Sequence, residues 1–266
     1  MSHIWRTRIP ARDCAMGSPR YGAKIGYDLS TKAQNMKPRK MGYGCTSSTS
    51  TRAVGQFFDI YAKNFDAIYG HTGRRSALGR WVDRTFRQVM MRRFEETLRQ
   101  TKKQEIHSVL DIGCGPGRYT AAFALQGKEV VGVDIAEEML KIAQDNIDAL
   151  NVSADLVLDD YLSVHFDRIF DAACLMGFFD YIEDPVPILK KLAIEVMGEF
   201  YASFPKSGGF LAWQRHIRYR LRRCPLWLYS KRDVEDALIA SGFVGCYEIR
   251  DFGRDWYVVV QMQDTR

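Results

Sequence analysis

The sequence predicts an α/β fold built on a doubly wound, mainly parallel sheet, and three observations predict it. From residue 107 onward seven short strand-like runs occur, most of them separated by helical patterns, which is the rhythm of consecutive βαβ units. A glycine-rich turn joins the first of these runs to the first helix. The last two runs follow each other without a helix, so they form an antiparallel hairpin that closes the sheet.

Each element is justified by its own pattern. Ahead of the sheet, Phe57, Phe58, Tyr61, Phe65, Ile68 and Tyr69 recur at three- and four-residue steps, and after Gly70-His71-Thr72-Gly73 so do Leu78, Trp81, Val82, Phe86, Val89, Met90, Phe94 and Leu98. These are two amphipathic helices, read as a helical lid over residues 53–104, with Tyr61 and Tyr69 as cofactor-contact candidates beside the plainer role of core packing. Residues 107–112 form the first strand and 119–125 a helix. Residues 128–134 form the second strand, followed by a helix through Met139, Leu140, Ile142, Ala143 and Ile147. Residues 155–158 and 169–175 are the third and fourth strands, and a helix at 186–192 leads to a fifth at 199–204. Ser230-Lys231-Arg232-Asp233 has the spacing of a capping box for a helix at 234–241, and Gly242 suits its end. Runs at 244–249 and 256–260 are the hairpin, so the sheet domain covers residues 105–266.

The 266 residues suit one such domain with a helical extension. No apolar run approaches the roughly 18 residues of a membrane span. The formal net charge of +6 and pI near 9.0 invite a nucleic-acid reading, but the charge is unevenly placed. Residues 1–52 hold ten Lys/Arg and two Asp, a net of +8, so the other 214 residues carry −2. That first segment has no apolar periodicity and ends in Cys45-Thr46-Ser47-Ser48-Thr49-Ser50-Thr51, so it is expected to be a disordered basic tail. Two readings of it stay open, an organelle transit peptide or an upstream extension of the reading frame. The six cysteines include no CxxC pair and no zinc-ligand spacing, so no metal is expected and the compartment is a reducing one. That favours the cytoplasm, or an organelle if the tail is a transit peptide.

The stretch that carries chemistry is Val109-Leu110-Asp111-Ile112-Gly113-Cys114-Gly115-Pro116-Gly117-Arg118-Tyr119. Glycines at a strand-to-helix turn let backbone approach a ligand closely, and the helix start offers free N–H groups. Asp134, which ends the second strand, is placed to accept hydrogen bonds from ribose hydroxyls. With these residues, with Val131-Gly132-Val133-Asp134 followed by Met139-Leu140, and with Asp160-Tyr161, Phe170-Asp171-Ala172-Ala173 and Ser241-Gly242-Phe243, residues 105–265 resemble the class I S-adenosylmethionine-dependent methyltransferases. The resemblance implies a Rossmann-like seven-stranded sheet and S-adenosylmethionine as cofactor. It implies that Asp111 and the turn through Gly113, Cys114, Gly115 and Gly117 hold the methionine portion, and that Asp134 holds the ribose. Ile135 and Met139 would pack on the adenine, Asp160 with the Tyr161 backbone would meet its amino edge, and Leu175 and Met176 would face the sulfonium. Asp159 competes with Asp160 for that role. Arg118, standing where a dinucleotide fingerprint has Gly or Ala, disfavours an NAD oxidoreductase.

The residues after the fourth strand bear on the acceptor. Residues 177–185 contain no Asn/Asp-Pro-Pro-aromatic sequence, which argues against methylation of nucleic-acid bases or protein amides. Residues 206–232 carry eight Lys/Arg and no acid, and residues 74–103 carry ten against three. Such segments are either a solvated basic face or a mouth for an anionic acceptor bearing carboxylate or phosphate. Tyr181, His216 and Tyr229 are the acid/base or acceptor-orienting candidates. The layout is also loosely similar to the magnesium-protoporphyrin and ubiquinone-pathway O-methyltransferases, which implies O-methylation of a small molecule. The alternatives are a nucleic-acid-binding methyltransferase and an interaction protein on a methyltransferase fold. Nothing in the sequence sets an oligomeric state.

Overall fold

The structure, a computed structural model, describes residues 77–208 and 225–262, with side chains from Gln88 onward. The elements are α1 (Ala77–Thr101), β1 (Ser108–Ile112), α2 (Arg118–Leu125), β2 (Glu129–Asp134), α3 (Glu137–Ala149), β3 (Asp155–Leu158), β4 (Phe170–Leu175), α4 (Val186–Glu195), β5 (Val196–Pro205), α5 (Lys231–Ala240), β6 (Tyr247–Asp251) and β7 (Asp255–Gln261). They build a seven-stranded sheet in the order β3-β2-β1-β4-β5-β7-β6. Pairings from β3 to β5 are parallel, and β7 lies antiparallel between β5 and β6, as the hairpin expectation requires.

The central strands are buried along their length because helices cover both faces. Every residue of β1 is buried, which explains its continuous apolar run with one carboxylate, Asp111, inside it. β1 is flanked by β2 on one side and β4 on the other, so the strand order reverses there and a crevice opens beyond the carboxyl ends of those strands. The glycine turn after β1 and the turn after β4 meet at this crevice.

Three starts differ from expectation by three residues: those of β5 and α5 come earlier, and β6 begins at Tyr247 and not at 244. β5 begins at Val196, not at 199, because Val196 pairs with Phe170 across a register shift in β4. A Cβ on Gly198 would lie 2.4 Å from the Asp171 carbonyl oxygen, so the strand passes this point only with glycine. α5 begins at Lys231, directly after the N-cap Ser230, because the capping box draws its first turn into the helix: the Ser230 hydroxyl accepts from Asp233 N at 3.2 Å, and the Asp233 carboxylate accepts from Ser230 N at 2.7 Å. At its far end Gly242 takes φ 95°, where N–H groups of Gly242 and Phe243 return to Ile239 and Leu238 carbonyls.

Of the segment expected to be a helical lid, residues 77–101 are α1. One face of it lies against the sheet: Val89 and Leu98 pack on the cluster of Val109, Phe123, Val130, Tyr201 and Tyr257. Phe94 meets Tyr119 edge-on at 5.0 Å. Polar contacts run beside this apolar face, with Thr97 Oγ1 3.1 Å from the Tyr257 hydroxyl and, just beyond the end of α1, Lys103 Nζ 2.7 Å from both Glu199 oxygens. Glu96 joins α1 to the sheet edge. Its hydrogen bond from Arg99, with further bonds from Gln100 and Arg250, outweighs burial and holds its carboxyl down to about 2. The expected basic tail, Tyr61 and Tyr69 lie outside the described residues.

Candidate functional site

The glycine turn is shaped by three left-handed residues, Gly113 (φ 67°), Gly115 (φ 53°) and Gly117 (φ 72°). Each has a different reason to lack a side chain. A Cβ on Gly113 would lie 2.6 Å from Cδ2 of Phe178, and one on Gly117 would lie 2.8 Å from the Ala143 Cβ of α3. Gly115 has nothing within 4 Å of that position, so the turn presents bare backbone to an open side. The turn is anchored from below by Gly113 and Cys114 N–H groups donating to the Val133 carbonyl, and from α3 by Asn146 Nδ2 donating to Pro116 O at 2.9 Å. Cys114 and Cys174 are buried free thiols, and burial pushes both well above the usual thiol range.

Asp134 stands at the end of β2, facing the turn. Its Oδ2 accepts from Gly115 N at 2.8 Å and its Oδ1 from Ala136 N at 2.9 Å. These two backbone bonds orient the carboxylate. The same side chain therefore ties the glycine turn to the start of α3 and presents negative charge at the crevice.

Asp111 lies beneath the turn and is 2% exposed. The Thr120 hydroxyl of α2 donates to its Oδ2 at 2.6 Å. Burial raises its carboxyl to about 7, with the Asp134 charge adding and the Thr120 bonds opposing. The folded value thus exceeds the unfolded one, so this group's contribution to stability is present below about pH 4 and is lost as pH rises toward 7. Asp111→Asn is expected to remove this component: the stability difference between wild type and variant should shift against the wild type from pH 4 to 7 and level off above. A difference that stays constant across that range in denaturant titrations would contradict the raised value.

Of the other expected cofactor residues, Met139 is buried with Ala136 and packed by Ile142, while Ile135 is half-buried. Asp160 Oδ1 accepts from Leu162 N at 3.0 Å and Asp159 Oδ1 accepts from Asp160 N at 2.9 Å, so both carboxylates organise the turn after β3. The Tyr161 side chain points into the core, its hydroxyl donating to Glu195 Oε2 at 2.8 Å. Leu175 is fully buried and Met176 half-buried at the end of β4, followed by Gly177 at φ 79°.

On the acceptor side the candidates have different surroundings. Tyr229 is buried, burial raises its phenol above the ordinary range, and its hydroxyl donates to the Ile182 carbonyl. That bond ties the segment before α5 to the turn after β4. Tyr181 is half-buried in the 3-10 turn Phe179–Tyr181, and His216 lies outside the described residues. Sequence reasoning misses Arg93, which is buried with Ser203 and Asp255; an arginine inside an amphipathic helix carries no local sign of a buried partner. Among the described residues there is no cluster of His, Cys, Asp or Glu able to hold a metal, and no helix long and apolar enough to cross a membrane.

Comparison with known proteins shows what this fold is similar to. A methyltransferase-domain model matches residues 109–194. The ubiquinone biosynthesis O-methyltransferase of Chromobacterium violaceum is 33% identical over 84 residues, which is 31% of this chain and 36% of that protein. The matched part thus spans little more than a third of that relative's length. Among solved structures, magnesium protoporphyrin IX methyltransferase from Synechocystis PCC 6803 with bound S-adenosylhomocysteine superposes with a TM-score of 0.63 at 17% identity, covering 80% of this chain and 99% of that one. The [4+2]-cyclase SpnF does so with a TM-score of 0.58 at 16% identity, covering 80% and 96%. Such a fold therefore accompanies more than one chemistry, and the reaction has to be argued from the site. Residues 109–194 match a methyltransferase domain, and the fold around them is shared with a methyltransferase solved with S-adenosylmethionine or S-adenosylhomocysteine bound.

Proposed function

We propose that this protein transfers a methyl group from S-adenosylmethionine to a small-molecule acceptor, with oxygen the methylated atom. The observation that carries the reading is the pairing of Gly115, whose bare backbone faces an open side, with Asp134, whose carboxylate is held at the same crevice by two backbone N–H groups. These residues fit the cofactor: Asp134 would accept from ribose hydroxyls, the turn from Gly113 to Gly117 would lie along the methionine portion, and Ile135, Met139, Asp160 and the Tyr161 backbone would surround the adenine. When bound, S-adenosylmethionine supplies an electrophilic methyl on a sulfonium.

What the chain must then do is hold the acceptor in line and keep water out. Leu175, Met176 and the half-buried Phe178 supply an apolar floor at the end of β4. An oxygen acceptor loses its proton on methylation, which a positioned base assists, and Tyr181 is the described candidate near that floor. Carboxylate or phosphate on the acceptor is supported by the basic segment 206–232, and the names of the relatives favour oxygen as the methylated atom.

The test is incubation of the full chain with methyl-labelled cofactor and a metabolite extract, beside protein and RNA fractions. Label in small molecules is the expected result. Label confined to RNA or protein would overturn the substrate class, and tight S-adenosylhomocysteine binding with no labelled product in any fraction would favour an interaction role.

A further inference from the structure

Arg93 comes from α1, outside the matched segment 109–194, and its guanidinium is buried. Its Nη1 bonds two strands at once, donating to Ser203 Oγ of β5 at 3.0 Å and to Asp255 Oδ2 of β7 at 2.8 Å. Ser203 Oγ accepts a second bond, 2.8 Å from the N–H of Gly177. Gly177 follows the last residue of β4 by two positions, so its N–H lies beyond the strand pairing and needs another acceptor. The Tyr119 phenol, from the first turn of α2, feels the same guanidinium, whose positive charge opposes the upward push of burial.

We propose that Arg93 and Ser203 are positioning residues for the cofactor site. Arg93 fixes the Ser203 hydroxyl, and Ser203 fixes the backbone turn through Leu175, Met176 and Gly177, so α1 sets the floor of the crevice without touching a ligand. Docking of α1 does not by itself require this arrangement. Thr97 with Tyr257, Lys103 with Glu199 and Phe94 with Tyr119 already hold the helix, and an apolar pair in place of a buried ion pair is commonly as stable or more so. The ionic arrangement differs from an apolar one in presenting directional donors to Ser203.

The inference rests on the cofactor reading above, and wild-type affinity for S-adenosylhomocysteine tests that reading separately. If the wild type binds, Ser203→Ala is expected to weaken S-adenosylhomocysteine about five- to tenfold, the factor to which the net worth of one hydrogen bond converts. Deuterium uptake at the Gly177 amide should rise in the same variant. Thr97→Val, which removes a different α1 contact, should lower thermal stability and leave the affinity unchanged. Because Arg93→Met alone would strand Asp255 and risks unfolding, the paired variant Arg93→Met with Asp255→Leu is the second test: native-like stability with the same five- to tenfold loss is expected. Unchanged affinity in Ser203→Ala or in the paired variant, or equal losses in Ser203→Ala and Thr97→Val, would overturn the assignment.

Discussion

Asp134→Ala is expected to weaken S-adenosylhomocysteine binding by about 100-fold or more, because the substitution removes two functions at once. The carboxylate accepts the N–H groups of Gly115 and Ala136, and so fixes the glycine turn against the start of α3. It is also the group proposed to receive the ribose. Hydrogen bonds to a charged partner contribute roughly 1.5–3 kcal/mol each, and about 2.7 kcal/mol already corresponds to a factor of about 100. Asp134→Asn separates the two functions. An amide offers one oxygen and one NH₂ group, so either Gly115 N or Ala136 N would face a donor, and an intermediate loss of about tenfold is expected. Calorimetry on both variants checks the ordering. Wild-type affinity in Asp134→Ala would remove the central support of the cofactor reading.

Asp134 was legible in the sequence because its signal is local. A run of β-branched residues ends in a carboxylate and is followed by a helix, and that context fixes the position of the carboxylate at a strand end before any tertiary contact is known. The glycine turn and the Ser230–Asp233 capping box are local in the same sense, since spacing along the chain alone brings their groups together. The polar contacts of α1 are different. Arg93 is separated by 110 residues from Ser203 and by 162 from Asp255, and each of the three residues alone looks like an ordinary helix-surface, strand or turn residue. Tyr229 has a partner that is equally hidden in the sequence. A tyrosine ahead of a helix reads as a chemical candidate, yet its partner is a backbone carbonyl 47 residues away, and only folding reveals that its hydroxyl is engaged. The early start of β5 belongs to the same group, being set by pairing of Val196 with Phe170 rather than by propensity.

Gly115→Ala and Gly117→Ala, two residues apart in one motif, are expected to fail in opposite ways. A methyl at Gly117 would lie 2.8 Å from the Ala143 Cβ and 3.1 Å from its Cα, and neither atom belongs to a flexible side chain that can turn aside. α2 and α3 must then separate, and the left-handed φ of 72° adds backbone strain. Overpacking of this kind costs about 1–3 kcal/mol and left-handed strain about 1–2 kcal/mol, so a large drop in unfolding free energy is expected. Gly115→Ala meets no atom within 4 Å and bears only the strain of its φ of 53°. Its stability should fall by about 1–2 kcal/mol. The new methyl, however, projects from the turn into the open side where the cofactor is proposed to lie against backbone. Affinity for S-adenosylhomocysteine should therefore fall about tenfold or more, since a ligand that needs close backbone approach must move away or lose its hydrogen bonds. The decisive comparison is affinity against stability for the pair, measured by calorimetry and denaturant unfolding on the same preparations. If Gly115→Ala keeps wild-type affinity, the open side of the turn is not where the cofactor sits, however well the fold matches its neighbours.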